Sequence, residues 1–325
     1  MIETIYIEKE VKDDLYVKNL CKKISPKQVI YIDRYTEVFN RNNQNFLLQK
    51  IKPSLILAKK QKGFLHKLDP FTCFSKNGYD LSHSVNCPFH CDYCYLQGCY
   101  RSGFYLLFVN FDDFKNEMES ILQKENAKFF LGFDSDSLAL ESSFQILDHF
   151  YPFFEKHQKA LFELRTKSVS IHSLLQKKPL KNLIIAFSLN PDKVIHSLEK
   201  KTPSLEMRLN ALKTLQKKGF SIGLRFDPLI FIRDFEKIYE PFFEKVFSEI
   251  DPNRIHSATI GTVRFPKPYY ERMKKLHIRP NFLSTLWQEN GIFCYPEKTE
   301  KKLIDFAYQA CVKKIEKNKL FIQTA

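Results

Sequence analysis

The chain of 325 residues reads as an α/β protein built on an open, partial (β/α)6 barrel, with a small N-terminal α/β lead-in and a C-terminal helical and hairpin extension. Three observations predict this class. From Tyr79 onward, short β-rich apolar runs alternate with segments of helical periodicity, the pattern of parallel strands covered by helices. Six such strands follow one another, too few for the closed eight-fold barrel. Apolar residues make up 44% of the chain and glycines number only nine, so a large core is available and long flexible linkers are not expected.

The elements follow in order. Residues 1–70 form the lead-in, with strands at Gln28–Ile32 and Ser54–Lys59 and a polar helix between them. Residues 71–270 form the barrel. Its strands are expected at Leu81–Val85, Lys128–Phe133, Ala160–Thr166, Asn182–Asn190, Phe220–Ile230 and Arg254–Phe265. Helices are expected between them at Phe111–Lys124, Glu141–His157, Val169–Gln176, Ser204–Lys218 and Phe235–Glu249. Pro203-Ser204-Leu205-Glu206 is a helix start and Lys218-Gly219 a helix end. Residues 271–325 form the extension, where Leu303–Lys319 reads as an amphipathic helix packed on the outside.

No apolar run reaches the length of a membrane span; the longest, near Phe104–Phe111, is broken by Asn110. Met-Ile-Glu-Thr-Ile-Tyr has no basic segment leading into an apolar one, so no secretory signal is expected and a cytoplasmic location is. In that reducing compartment the eight cysteines are expected as thiols and metal ligands rather than disulfides. With 51 Lys and Arg against 37 Asp and Glu, the net charge is +14. It fits either a polyanionic partner, whose phosphates the cations would neutralise, or a lysine-rich solvated surface.

The most specific motif is Cys87-Pro-Phe-His-Cys91-Asp-Tyr-Cys94, spaced C-x3-C-x2-C, with Tyr93 directly before the last cysteine. Three thiolates this close on a tight loop can hold three irons of a [4Fe-4S] cube and leave the fourth open to a small molecule. The competing reading is structural zinc. It needs four protein ligands, usually two C-x2-C pairs, and no second pair is present; His90 and Cys99 are the residues at hand to complete one.

The triplet resembles that of the radical S-adenosylmethionine superfamily. Cys91-Asp-Tyr-Cys-Tyr-Leu-Gln97 resembles a narrower group within it, spore photoproduct lyase and its relatives. The similarity continues through Asp134-Ser-Asp136, Thr166-Lys167, Phe187-Ser-Leu-Asn190 and Gly223–Ile230, over roughly residues 54–270. It implies that the open iron chelates the amino and carboxylate groups of S-adenosyl-L-methionine. One electron, from a reductant such as flavodoxin or ferredoxin, then yields a 5′-deoxyadenosyl radical. It also implies damaged DNA as partner, with a thymine dimer flipped into the barrel mouth and reversed by a carbon–carbon lyase reaction.

Site roles follow from the same resemblance. Ser135, Lys167, Ser188 and Asn190 match positions that hold the cofactor. Tyr93 and Tyr95 match a pair that relays a hydrogen atom. The plain alternatives are that Lys167 ends a strand in solvent, Ser188 and Asn190 cap the turn before Pro191, Tyr93 shields the cluster and Tyr95 packs in the core. The lyases place a cysteine hydrogen donor after the second strand, where this chain has Phe133. Cys73, Cys99 and Cys294 are the candidate replacements, Cys294 in the hairpin-like Asn290–Tyr295 stretch. Arg225 is expected to pair with Asp227 or a barrel neighbour, and His256 and Arg264 lie on the sixth strand.

Overall fold

The computed structural model describes residues 2–68, 77–276, 278 and 280–324. Its larger sheet has eight strands in the order Leu320–Gln323, Ile255–Thr262, Ser221–Leu229, Leu183–Ser188, Leu161–Thr166, Lys128–Leu131, Gly78–Leu81 and Leu65–Lys67. All neighbours are parallel except the last pair. The sheet curls into a half-barrel, so the expected six strands are present as a run. Leu183–Ser188 is buried at every position, as a strand covered on both faces must be.

Helices cover the outer face. Phe235–Glu249, placed as the sequence predicts, packs Phe242 and Phe243 edge-on against Phe226. Helix Leu205–Lys218 starts where Ser204 accepts the Met207 N–H at 3.3 Å and ends at Gly219, whose φ of 105° suits only glycine.

A second sheet, in the order Gln28–Ile32, Thr4–Glu8, Leu55–Ala58, Tyr105–Phe108, Ser84–Val85, lies beside the barrel. Here the structure departs from expectation. Leu81–Val85 is not one strand. Gly78–Leu81 joins the barrel, while Ser84–Val85 crosses to the N-terminal sheet and pairs antiparallel with Tyr105–Phe108. The cysteine loop therefore emerges between the two sheets. Glu141–His157 is also divided. Gln145 takes a left-handed φ of 52°, and the Glu141 carboxylate accepts the Ile146 and Leu147 N–H groups that open helix Leu147–Lys156. Burial pushes the Glu141 carboxyl up to about 7.

At the C-terminus the helix spans Glu297–Val312, not Leu303–Lys319. The chain then turns back, and Leu320–Gln323 adds a seventh parallel strand beside Ile255–Thr262. A small antiparallel sheet forms from Arg264–Pro266, Trp287–Glu289 and Ile292–Cys294. Its hairpin turns on Asn290-Gly291, both at positive φ, the geometry of a two-residue turn that matches strand twist. No helix among the described residues is long and apolar enough to cross a membrane.

Candidate active site at the cysteine loop

The loop is fixed at both ends. Asn86 sits at φ 69°, and its side-chain amide donates to the Ser102 and Phe104 carbonyls at 2.8 and 2.7 Å. Beyond it, His90–Cys91 pairs antiparallel with Glu199–Lys200, and the Asp92 N–H reaches the Leu198 carbonyl at 2.7 Å. Lys50, from helix Phe46–Ile51, is buried and donates to the Cys87 carbonyl at 2.8 Å and the Phe89 carbonyl at 3.4 Å. The loop ends in the short helix Leu96–Cys99. Gly98 there lies so close to helix Lys267–Lys275 that a Cβ would stand 2.2 Å from the Tyr269 carbonyl oxygen.

Cys87, Cys91 and Cys94 are all unbridged, and burial pushes each thiol up. Ligand thiols must therefore lose protons when they bind metal. Among the described residues no three His, Cys, Asp or Glu side chains converge on one ion-sized point. His90 is held elsewhere. Its ring bonds to the Lys50 backbone, and burial together with Lys50, Lys201 and Lys200 lowers it to about 4.

Tyr93 is buried and its hydroxyl donates to Glu199. Asn190 donates to the same carboxylate at 2.9 Å and to the Tyr93 oxygen at 3.3 Å. Arg208, fully buried, closes the group. It pairs with Glu199 and also donates to the carbonyls of Ser188 and Pro203, each at 3.0 Å. Burial disfavours the Glu199 charge, but Arg208, Lys167 and the Tyr93 bond outweigh it and hold the carboxyl below its usual range. Lys167 lies 5.6 Å from the Tyr93 ring centre. Thus Tyr93, Lys167 and Asn190 come together, drawn from the loops after the first, third and fourth barrel strands, while Ser188, the last residue of its strand, meets the group through its backbone carbonyl on Arg208.

Ser135 is placed beside the first of these loops, its hydroxyl 2.7 Å from that of Ser84. Asp136 ties the neighbouring loops: it accepts the Thr166 hydroxyl at 2.6 Å and the Lys167 N–H at 2.7 Å. Tyr95 donates to the backbone carbonyl of Phe133 at 2.5 Å, so its phenol is bonded to the residue that stands at the expected thiol position. Its ring stacks on Tyr269, 6.3 Å between centres, and Cys99 hydrogen-bonds both Tyr269 and Tyr100. Cys294 belongs to a different unit. It is buried on Ile292–Cys294, opposite Arg264 and Trp287. Cys73 lies outside the described residues.

Arg225 pairs with a barrel neighbour, Glu163, at 2.6 and 2.9 Å inside the barrel. Glu163 falls to about 2: burial opposes its charge, and Arg225 and Arg165 overcome it. Asp227 instead meets Arg264 at 3.4 Å. His256 is exposed near the start of its strand, the end opposite the cysteine loop, and is no part of the site. Sequence reading missed Lys50, Glu199 and Arg208. Each matters only through the partner the fold brings to it, and none sits in a motif.

One orphan atom tests whether the cofactor fits. Asn190 Oδ1 is buried and has no hydrogen-bond partner within the protein. A buried acceptor left open beside the thiol loop matches a bound molecule that brings donors, and S-adenosyl-L-methionine offers an ammonium and ribose hydroxyls.

A partial barrel with C-x3-C-x2-C on the loop after its first strand defines the radical S-adenosylmethionine superfamily. Within it, residues 4–288 match the model of the spore photoproduct lyase family, and the chain belongs to that family. It is 27% identical over 197 residues to spore photoproduct lyase of Bacillus subtilis, covering 58% of this chain and 57% of that protein. It is also 27% identical over 203 residues to the Clostridium acetobutylicum enzyme, covering 61% of this chain and 60% of that one. These alignments span less than two thirds of either relative. Among solved structures, spore photoproduct lyase complexed with dinucleoside spore photoproduct superposes with a TM-score of 0.85 at 18% identity, covering 100% of this chain and 99% of that one. The fold is thus shared along the whole chain.

Proposed function

We propose that the chain is a radical S-adenosylmethionine lyase that reverses spore photoproduct, the thymine dimer, in DNA. The observation that carries this reading is the cysteine loop, pinned at the rim of the half-barrel in a member of the spore photoproduct lyase family. Cys87, Cys91 and Cys94 hold the [4Fe-4S] cluster. When bound, the cluster and S-adenosyl-L-methionine supply a 5′-deoxyadenosyl radical that removes a hydrogen atom from the substrate.

The protein's own groups position these partners. Asn190 offers its open Oδ1, and Lys167, Ser135 and Ser188 join it by their match to the family's cofactor-holding positions. Glu199 and Arg208 lock Tyr93 and Asn190 in place behind them. Tyr93 and Tyr95 relay the hydrogen atom. Cys99, Cys73 and Cys294 are the thiols available to a relay in which Phe133 cannot serve, and Cys99 touches the ring that stacks on Tyr95. A one-electron carrier such as flavodoxin or ferredoxin provides the electron. The protein acts in the cytoplasm.

The test is anaerobic. Reconstituted protein with reductant and S-adenosyl-L-methionine should convert spore-photoproduct dinucleotide to thymidylyl-thymidine. Phe133 favours one alternative, the same radical chemistry on another substrate. Formation of 5′-deoxyadenosine without conversion of the dinucleotide would select that alternative. Cys→Ala variants at positions 73, 99 and 294, each scored by conversion against 5′-deoxyadenosine formed, identify the thiol.

A further inference from the structure

We propose that the outer face of helix Phe46–Ile51 is the docking site of an acidic one-electron carrier protein, which reduces the cluster from there. The proposal rests on the radical reading above and adds the partner's landing surface.

The helix has two unlike faces. Phe46 and Lys50 point inward, 3% and 9% exposed. Leu47, Leu48 and Ile51 point outward, 45%, 63% and 71% exposed. Three exposed aliphatics in six residues form a patch rather than the scattered single residues that need no explanation. Fraying does not account for it, because the helix is firmly seated. Asn45 caps it by accepting the Leu48 N–H at 3.0 Å. Gln49 accepts the Gly103 N–H at 2.8 Å, and a Cβ at Gly103 would come within 2.9 Å of the helix backbone.

The patch is also close to the thiols. The inward Lys50 ammonium bonds the carbonyls of Cys87 and Phe89, so one helix is all that separates the patch from the cysteine loop. That is about one helix diameter, ~10–12 Å. A carrier seated here gives up one electron, and the cluster takes it up, across that single helix.

Charge around the patch selects the partner's sign. Arg101 is exposed and bonds Asn42, a neutral amide just before the helix, so its charge stays available. Lys201 is exposed and near enough to act on both Lys50 and His90. Lys200 adds a cation partly taken by Asp92 at 3.4 Å, and Lys52 is paired with Glu3 at 2.6 Å. An aliphatic patch flanked by Arg101 and Lys52, with Lys200 and Lys201 on the loop side of the same helix and a net chain charge of +14, complements a carrier with an acidic rim.

The experiment uses the full reconstituted chain and reduced flavodoxin, with stopped-flow absorbance of the cluster as readout. Wild type should be reduced at a rate that falls steeply as salt rises. Leu48→Glu and Ile51→Glu should lower the second-order rate constant at least tenfold, and Lys201→Glu should flatten the salt dependence. Dithionite, which needs no docking surface, should drive 5′-deoxyadenosine formation equally in all of them. The proposal is overturned if the Glu variants accept electrons from flavodoxin at the wild-type rate, or if flavodoxin leaves the wild-type cluster oxidised while dithionite reduces it. It is also overturned if Leu48→Glu merely dissolves a dimer seen by sedimentation. Absence of 5′-deoxyadenosine from dithionite-reduced wild type would instead fault the radical reading itself.

Discussion

The loop that carries Cys87, Cys91 and Cys94 and the hairpin that carries Cys294 stand at the same rim of the half-barrel, past its first and sixth strands, yet they are held very differently. The loop is tied to three other segments by buried groups: Lys50, Asn86 and the Glu199–Arg208 pair. The hairpin's outer strand, Trp287–Glu289, is exposed throughout; its inner strand is anchored by Phe293 stacked on Tyr270, 3.6 Å between ring centres. The contrast is between a loop fixed by buried polar groups and a hairpin edge left in solvent. A cofactor used in every turnover is met by groups whose positions are fixed in advance. The hairpin's outer edge is exposed instead.

The largest way to break the contrast is to remove the loop's chemistry. Cys91→Ser should lose the cluster's visible absorbance and all 5′-deoxyadenosine formation while thermal unfolding stays cooperative; retained iron at wild-type stoichiometry would contradict the ligand assignment. Next, Arg208→Met strands the buried Glu199 carboxylate. It should destabilise the fold by ~3–5 kcal/mol, read by denaturant unfolding. A loss below ~1 kcal/mol would mean that the lock behind Tyr93 is weaker than its burial implies.

Third comes pH. Glu163 falls from 4.5 unfolded to about 2 folded, so over that range the unfolded chain binds more protons than the folded one. The stability Glu163 contributes is therefore complete above pH 4.5 and is lost as pH falls toward 2. Unfolding free energies of Glu163→Gln should show a shallower acid limb than wild type across that window. The smallest effect is expected at the hairpin. Trp287→Ala, at a side chain 69% exposed, should change stability by no more than ~0.5 kcal/mol and leave 5′-deoxyadenosine formation without substrate intact. If dinucleotide conversion also stays at the wild-type rate, the hairpin has no part in recognition.

How much of this was legible in the sequence depends on where each residue finds its partners. Helix Phe235–Glu249 was readable because its period and its ends are local. Cys87, Cys91 and Cys94 were readable because a cluster loop demands fixed spacing. Leu81–Val85 read as one strand because an apolar run does not reveal that the chain switches sheets between Leu81 and Ser84. Leu320–Gln323 was hidden because it is a strand of only 4 residues. Glu199 lies in a polar stretch, Leu198-Glu-Lys-Lys-Thr202, that looks like any solvated turn. Only the fold shows that it faces Tyr93 and Arg208. Lys50 was one lysine among many until its ammonium was found on the Cys87 carbonyl.

The central claim is that the three thiols hold a cluster with one iron open to S-adenosyl-L-methionine. It is tested most directly by electron paramagnetic resonance of the reduced, reconstituted protein before and after that molecule is added. A [4Fe-4S]+ signal that changes on addition is the predicted result. A signal indifferent to S-adenosyl-L-methionine, or a protein that retains zinc in place of iron, would contradict it.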